Sequence, residues 1–213
     1  MQFHEKITPY ERWLFTIIIV IAISSFIALT FFVHIGYLAQ FDYSVLNWFH
    51  TIKNPILDHF FSAITWLGSL WVLLPLYLVL TLFLSPYFEN VKKLLGIGFW
   101  GALLSTYLLK YEFERKRPHF FPSLDALPIN PSFPSGHTSQ IIVFTVLLWL
   151  IVYNRSSLFN NLLTGILVFI ALGVILSRMY LQVHFPTDVI AGVLIAIIWC
   201  CIAVFIVKSN VLK

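Results

Sequence analysis

Six stretches of this chain carry no charged side chain: residues 14–33, 60–84, 94–109, 138–154, 156–177 and 189–207. Each approaches the ~20 residues that a helix needs to cross a ~30 Å hydrocarbon core, the third and fourth only if the helix extends into their polar flanks. Lipid offers backbone groups no partners, so spanning segments of this length satisfy themselves as helices. The expectation is an all-α fold, a single domain over 1–213 that forms an integral membrane bundle of six transmembrane helices. Only 10% of the residues are charged, against about 25% in a soluble globular protein. The first stretch is too long for a signal-peptide apolar region and lacks a clear small-residue cleavage site, so it reads as a span. A net charge of +4 is too diluted to argue for nucleic acid. Cys200 and Cys201 are adjacent, a spacing that suits neither a disulfide nor a metal site.

Six spans put both termini on one side. Lys6, Arg12, Lys92, Lys93, Arg155, Lys208 and Lys213 fall on that side, and Lys53, Lys110, Arg115, Lys116, Arg117 and Arg178 on the other. Setting aside Lys110, Arg117 and Arg178 as candidate ligand-binding residues leaves an excess on the terminal side, which the positive-inside rule makes cytoplasmic. The loops after the first, third and fifth spans then face outward, across an inner or cytoplasmic membrane. In the first of them, Phe41, Val45, Trp48, Phe49 and Ile52 recur at helical spacing. That pattern suits an amphipathic helix in the interface after the first span, stopped by Asn54-Pro55, although a loop packed on the bundle is an equal alternative. Pro75 is expected to kink the second span.

Three polar clusters lie on the predicted outer face. KYEFERKRP, residues 110–118, puts Lys110 and Arg117 seven apart, on one face if the helix continues. Interfacial cations that snorkel are the ordinary alternative. PSFPSGH, residues 131–137, reads as a helix start: Pro134 outside the helix, Ser135 as N-cap, Gly136 allowing close backbone approach, and His137 at the anion-favouring end. A plain proline-and-cap start explains Pro134 and Ser135 but not the histidine. SRMYLQVHFPTD, residues 177–188, holds Arg178, with His184 and Asp188 four apart so that carboxylate and imidazole can meet, as catalytic partners or as a structural bridge. Together the clusters supply cations, a helix N-terminus, two histidines and a carboxylate. That is the inventory for phosphoryl transfer through a phosphohistidine, with one histidine attacking phosphorus and the other protonating the departing alkoxide.

These residues resemble the three signatures of the type 2 phosphatidic acid phosphatase superfamily: K-x6-R-P at Lys110 to Pro118, P-S-G-H at Pro134 to His137, and S-R-x5-H-x3-D at Ser177 to Asp188. The resemblance implies His184 as nucleophile, Asp188 as its partner and His137 as general acid, with Lys110, Arg117, Ser135, Gly136 and Arg178 holding the phosphate. It implies no metal and no cofactor. It also implies a membrane lipid phosphate as substrate, since small bacterial members act on phosphatidylglycerophosphate, phosphatidic acid or undecaprenyl diphosphate. The vanadium haloperoxidases share the signatures but are soluble. A lipid phosphotransferase differs only in the acceptor that resolves the phosphohistidine. A six-span channel or transporter would carry polar residues at mid-membrane depth, where these spans have no charge. Substrate specificity is expected to lie in the groove between spans and in the loop 119–133.

Overall fold

A computed structural model describes residues 6–83, 88–124, 127–152 and 158–209. The expected ends at 84, 154 and 156, together with Arg155 and Lys213, lie outside these residues. Within them the chain is all-helical: α1 Pro9–His34, α2 Ala39–Thr51, α3 Pro55–Ile64, a turn of 3-10 helix at Thr65–Gly68, α4 Leu70–Phe83, α5 Glu89–Phe113, α6 Gly136–Val152, α7 Leu158–Tyr180 and α8 Pro186–Ser209. Four helices, α1, α5, α7 and α8, are long and apolar enough to cross a membrane. The pair Pro55–Gly68 and Leu70–Phe83, bent by 42°, counts as a fifth if it is one span, and α6 has only 17 residues. Of the expected bundle of six, four to five candidate spans are found by length, and α6 is shorter than these.

The helix ends follow local chemistry. α1 starts in a capping box, in which Glu11 N–H donates to Thr8 Oγ1 at 3.1 Å and Thr8 N–H donates to Glu11 Oε2 at 2.9 Å. Asn54 does not merely stop α2. Its Oδ1 accepts from Leu57 N–H at 3.0 Å and caps α3, with Pro55 at the first helical position. The break in the second span falls at Thr65–Gly68 rather than at Pro75, which lies inside α4.

α5 extends into its polar flanks as expected but ends at Phe113, because Glu114 adopts a left-handed conformation at φ 43°. Arg117 is therefore not two turns along a continued helix from Lys110. The residue before a proline is biased away from helix, and here it is Arg117 before Pro118.

α8 is the central post, packed on α1, α5 and α6. One apolar cluster joins α5, α6 and α8 through Leu94, Ala102, Val143, Leu147, Ile195 and Ala203. Another gathers α2, α3 and α7 through Leu46, Phe49, Phe61, Val174 and Tyr180. α2 turns Asp42, Leu46 and Phe49 inward and leaves Phe41 and Trp48 exposed. The expected stripe is thus divided between protein and surroundings. Lys208 pairs with Glu11, and Ile7 N–H donates to Lys208 O at 3.4 Å, so the described ends of the chain meet far along α8 from its start at Pro186.

Candidate active site

The C-termini of α5 and α7 and the N-termini of α6 and α8 converge at one end of the bundle around a cavity of about 400 Å³. Lys110, Arg117, Gly136, His137, Arg178 and His184 all line it. Residues from all three sequence clusters are thereby brought together.

Asp188 sits in the first turn of α8, fully buried, and His184 lies two residues before that helix. His184 Nδ1 stands 3.2 Å from Asp188 Oδ2, so the expected i, i+4 contact forms although His184 itself is not helical. Phe185 N–H donates to the same oxygen at 2.9 Å. With Nδ1 turned to the carboxylate, Nε2 is left on the cavity side, 3.3 Å from Arg117 Nη1. Burial pushes the His184 pKa well below the ordinary histidine value, and Arg117, Lys110 and Arg178 push it the same way. A neutral imidazole with a lone pair on Nε2 is the nucleophilic form.

Backbone oxygens and neutral side chains position the cations around the cavity. Lys110 donates to the carbonyls of Pro131 and, at 3.3 Å, Ser132. Arg117 donates from Nη1 to Val183 O at 2.7 Å, from Nη2 to Asn130 Oδ1 at 2.7 Å, and from Nε to the carbonyls of Pro128 and Asn130. Burial lowers its pKa to about 10, so it remains cationic at neutral pH. Arg178 donates to Thr65 Oγ1, which gives the 3-10 break in the second span a purpose: it delivers Thr65 to the site.

The turn before α6 is pinned twice, by Ser132 N–H donating to Arg115 O at 2.8 Å and by Ser135 N–H donating to Asp188 O at 3.0 Å. Ser135 is fully buried and its hydroxyl accepts from Thr138 Oγ1 at 3.0 Å. Of the sequence-predicted phosphate-holding residues, Ser135 is the one absent from the cavity lining. Gly136 and His137 do line it, and the first-turn N–H groups of a helix have no intrahelical partner.

Two residues escape sequence reasoning. Arg115 donates from Nη1 to Asp188 Oδ1 at 2.6 Å and to Thr187 Oγ1 at 2.7 Å, and from Nη2 to Asp42 Oδ2 at 2.7 Å. Asp42, 1% exposed, also accepts from Thr187 N–H at 3.1 Å and Thr187 Oγ1 at 2.8 Å. Arg115 lies 4.1 Å above the Phe185 ring. A carboxylate at the first inward position of an amphipathic helix was the available signal for Asp42. Among the described residues no three His, Cys, Asp or Glu side chains converge as a metal-binding group would require.

A buried His–Asp pair sharing one cavity with Lys110, Arg117, Arg178 and a helix N-terminus has the make-up of a phosphotransfer site in a multi-pass membrane protein. The chain belongs to the PAP2 superfamily, whose family model matches residues 74–211, and is a lipid phosphatase of that family. It is 31% identical over 174 residues to phosphatidylglycerophosphatase B of Bacillus subtilis, covering 78% of this chain and 83% of the relative. It is 26% identical over 175 residues to the lipid A 4'-phosphatase of Porphyromonas gingivalis, covering 76% and 71%. The fold matches the crystal structure of a transmembrane PAP2-type phosphatidylglycerolphosphate phosphatase from Bacillus subtilis at TM-score 0.72, with 27% identity over 90% of this chain and 94% of that one. It also matches LpxE of Aquifex aeolicus at TM-score 0.61, with 30% identity over 75% and 92%. With that membership the channel or transporter reading falls.

Proposed function

We propose that this protein hydrolyses the terminal phosphomonoester of phosphatidylglycerophosphate through a phosphohistidine on His184. The observation that carries the proposal is the two-ended cavity. One end gathers Lys110, Arg117, Arg178, His137 and His184, and the other is walled by Leu70, Trp71, Leu74 and Leu103. Trp71 is 84% exposed on the outside of the bundle, so the apolar end lies next to the surroundings of α4 and α5. That is the shape for a phosphate whose alcohol continues into lipid. The similarity to phosphatidylglycerophosphatase B favours this lipid over phosphatidic acid and undecaprenyl diphosphate.

In this reading His184 Nε2 attacks phosphorus, the bond to the leaving oxygen breaks, and His137 gives that oxygen its proton. Asp188 accepts the Nδ1 proton in a hydrogen bond and stabilises the imidazolium character of the phosphohistidine. Water, giving a proton to His137, then attacks phosphorus, and His184 is released with inorganic phosphate. Lys110, Arg117, Arg178 and the first-turn N–H groups at Gly136 neutralise the equatorial oxygens, where charge spreads in the transition state. Ser135 serves by pinning that turn to Asp188. Transfer to an acceptor other than water gains no support from the site.

The same proposal treats α6 as the sixth span, since 17 residues is the short end of what crosses a bilayer. It sets α2 in the outer interface with Phe41 and Trp48 toward lipid, and puts the active site outside with the termini in the cytoplasm. Phosphate release by the purified protein from a panel of lipid mono- and diphosphates in detergent tests the assignment. Phosphatidylglycerophosphate should turn over fastest, unaffected by EDTA; a requirement for added divalent metal would refute it.

A further inference from the structure

Gln140 lies three residues after His137, on the same face of α6, and lines the same cavity. It is 2% exposed, and neither its amide nitrogen nor its amide oxygen has a hydrogen-bond partner among the described residues. A side-chain amide brings two donors and an acceptor oxygen. Interiors rarely leave both ends of such a group unpaired. The cavity lining also includes the apolar Leu74 and Leu103, so a leucine or methionine at this position would avoid that cost. Nothing in the hydrolytic steps above uses this amide.

We propose that Gln140 is a specificity-determining residue that binds a hydroxyl on the carbon next to the one bearing the leaving oxygen, so the preferred leaving group is an alcohol of the glycerol type. This rests on the lipid phosphatase reading above. With phosphate at the cationic end, the leaving oxygen lies beside His137 and the next atoms of the alcohol pass one helical turn further along α6. That is Gln140's position. The amide oxygen accepts from the hydroxyl while the amide N–H donates to it or to the oxygen beyond. A fully esterified glycerol, as in phosphatidic acid, presents no donor there and leaves the amide oxygen unpaired, so the same contact disfavours it.

The test compares wild type with Gln140→Met and Gln140→Leu on three substrates. These are phosphatidylglycerophosphate, its analogue lacking the central hydroxyl of the headgroup glycerol, and p-nitrophenyl phosphate as the reference that reports folded, active enzyme. In wild type, loss of the hydroxyl should lower kcat/KM roughly 10- to 100-fold. In either variant the ratio of lipid to aryl-phosphate kcat/KM should fall by a similar factor, and the two lipids should become equivalent. A variant that still distinguishes the two lipids, or an equal fall on all three substrates, overturns the assignment. Wild-type enzyme that cleaves the aryl phosphate but neither lipid overturns the function beneath it. That result is distinct from wild-type enzyme that cleaves both lipids equally, which defeats Gln140 alone.

Discussion

Arg115 holds Asp188 from the side opposite His184 and ties it to Asp42 on α2. Removing one partner of a buried ion pair leaves an uncompensated charge, at about 3–5 kcal/mol. Arg115→Ala should therefore lower thermal stability and reduce kcat far more than it raises KM, because Asp188 loses its orientation while the phosphate-facing cations remain. An unchanged kcat would remove Arg115 from the account. A second expectation concerns pH. His184 must be unprotonated to attack, so activity is present above its pKa and lost as pH falls through it. Since burial, Arg117, Lys110 and Arg178 depress that pKa in the free enzyme, the acid limb of kcat/KM against pH should lie below the ordinary value of about 6.5. Arg117→Gln removes one depressing charge and should move the limb upward, and comparing the two enzymes on one substrate cancels the substrate's own titration. At this scale the eight motif residues are legible because their types are unusual beside apolar spans. Arg115 and Asp42 are not, since each looks like one more interfacial charge until the fold joins two segments 73 positions apart in sequence.

Helices are legible here from apolar length, but their ends and faces depend on tertiary contacts. The left-handed Glu114 and the break at Thr65–Gly68 leave no mark in hydropathy, yet the first turns Arg117 back over the cavity and the second supplies Thr65 to Arg178. The stripe on α2 similarly gives its period but not which side faces inward, because Asp42 counts as polar until Arg115 and Thr187 meet it. Close helix packing matters as much as ends. A Cβ at Gly192 of α8 would stand 2.7 Å from Ser135 O and 2.9 Å from Thr138 Cβ. Backbone cannot yield cheaply, so Gly192→Ala should push the first turn of α6 outward, destabilise by about 1–3 kcal/mol, and lower kcat by moving His137. Normal activity and melting temperature in that variant would show that α6 and α8 separate without consequence.

Across the whole molecule, the described ends of the chain lie together through Glu11 and Lys208, while the site occupies the opposite end of α8. In the proposed orientation Arg115 joins the site, which leaves Lys53 and Lys116 as the other outer-side cations, and the excess on the terminal side grows. Reporter fusions at residue 213 should be active only as cytoplasmic reporters; activity restricted to the exterior would invert the orientation. The central claim, that His184 carries the phosphoryl group, is tested most directly by alkaline-quench trapping, which preserves the acid-labile phosphoramidate. The enzyme is mixed with radiolabelled aryl phosphate, denatured under alkaline conditions, and the label assayed for acid lability. Wild type and His137→Ala should carry acid-labile phosphate, the latter because an activated leaving group needs little protonation, and His184→Ala should carry none. Acid-labile labelling of His184→Ala at the wild-type level would contradict the account.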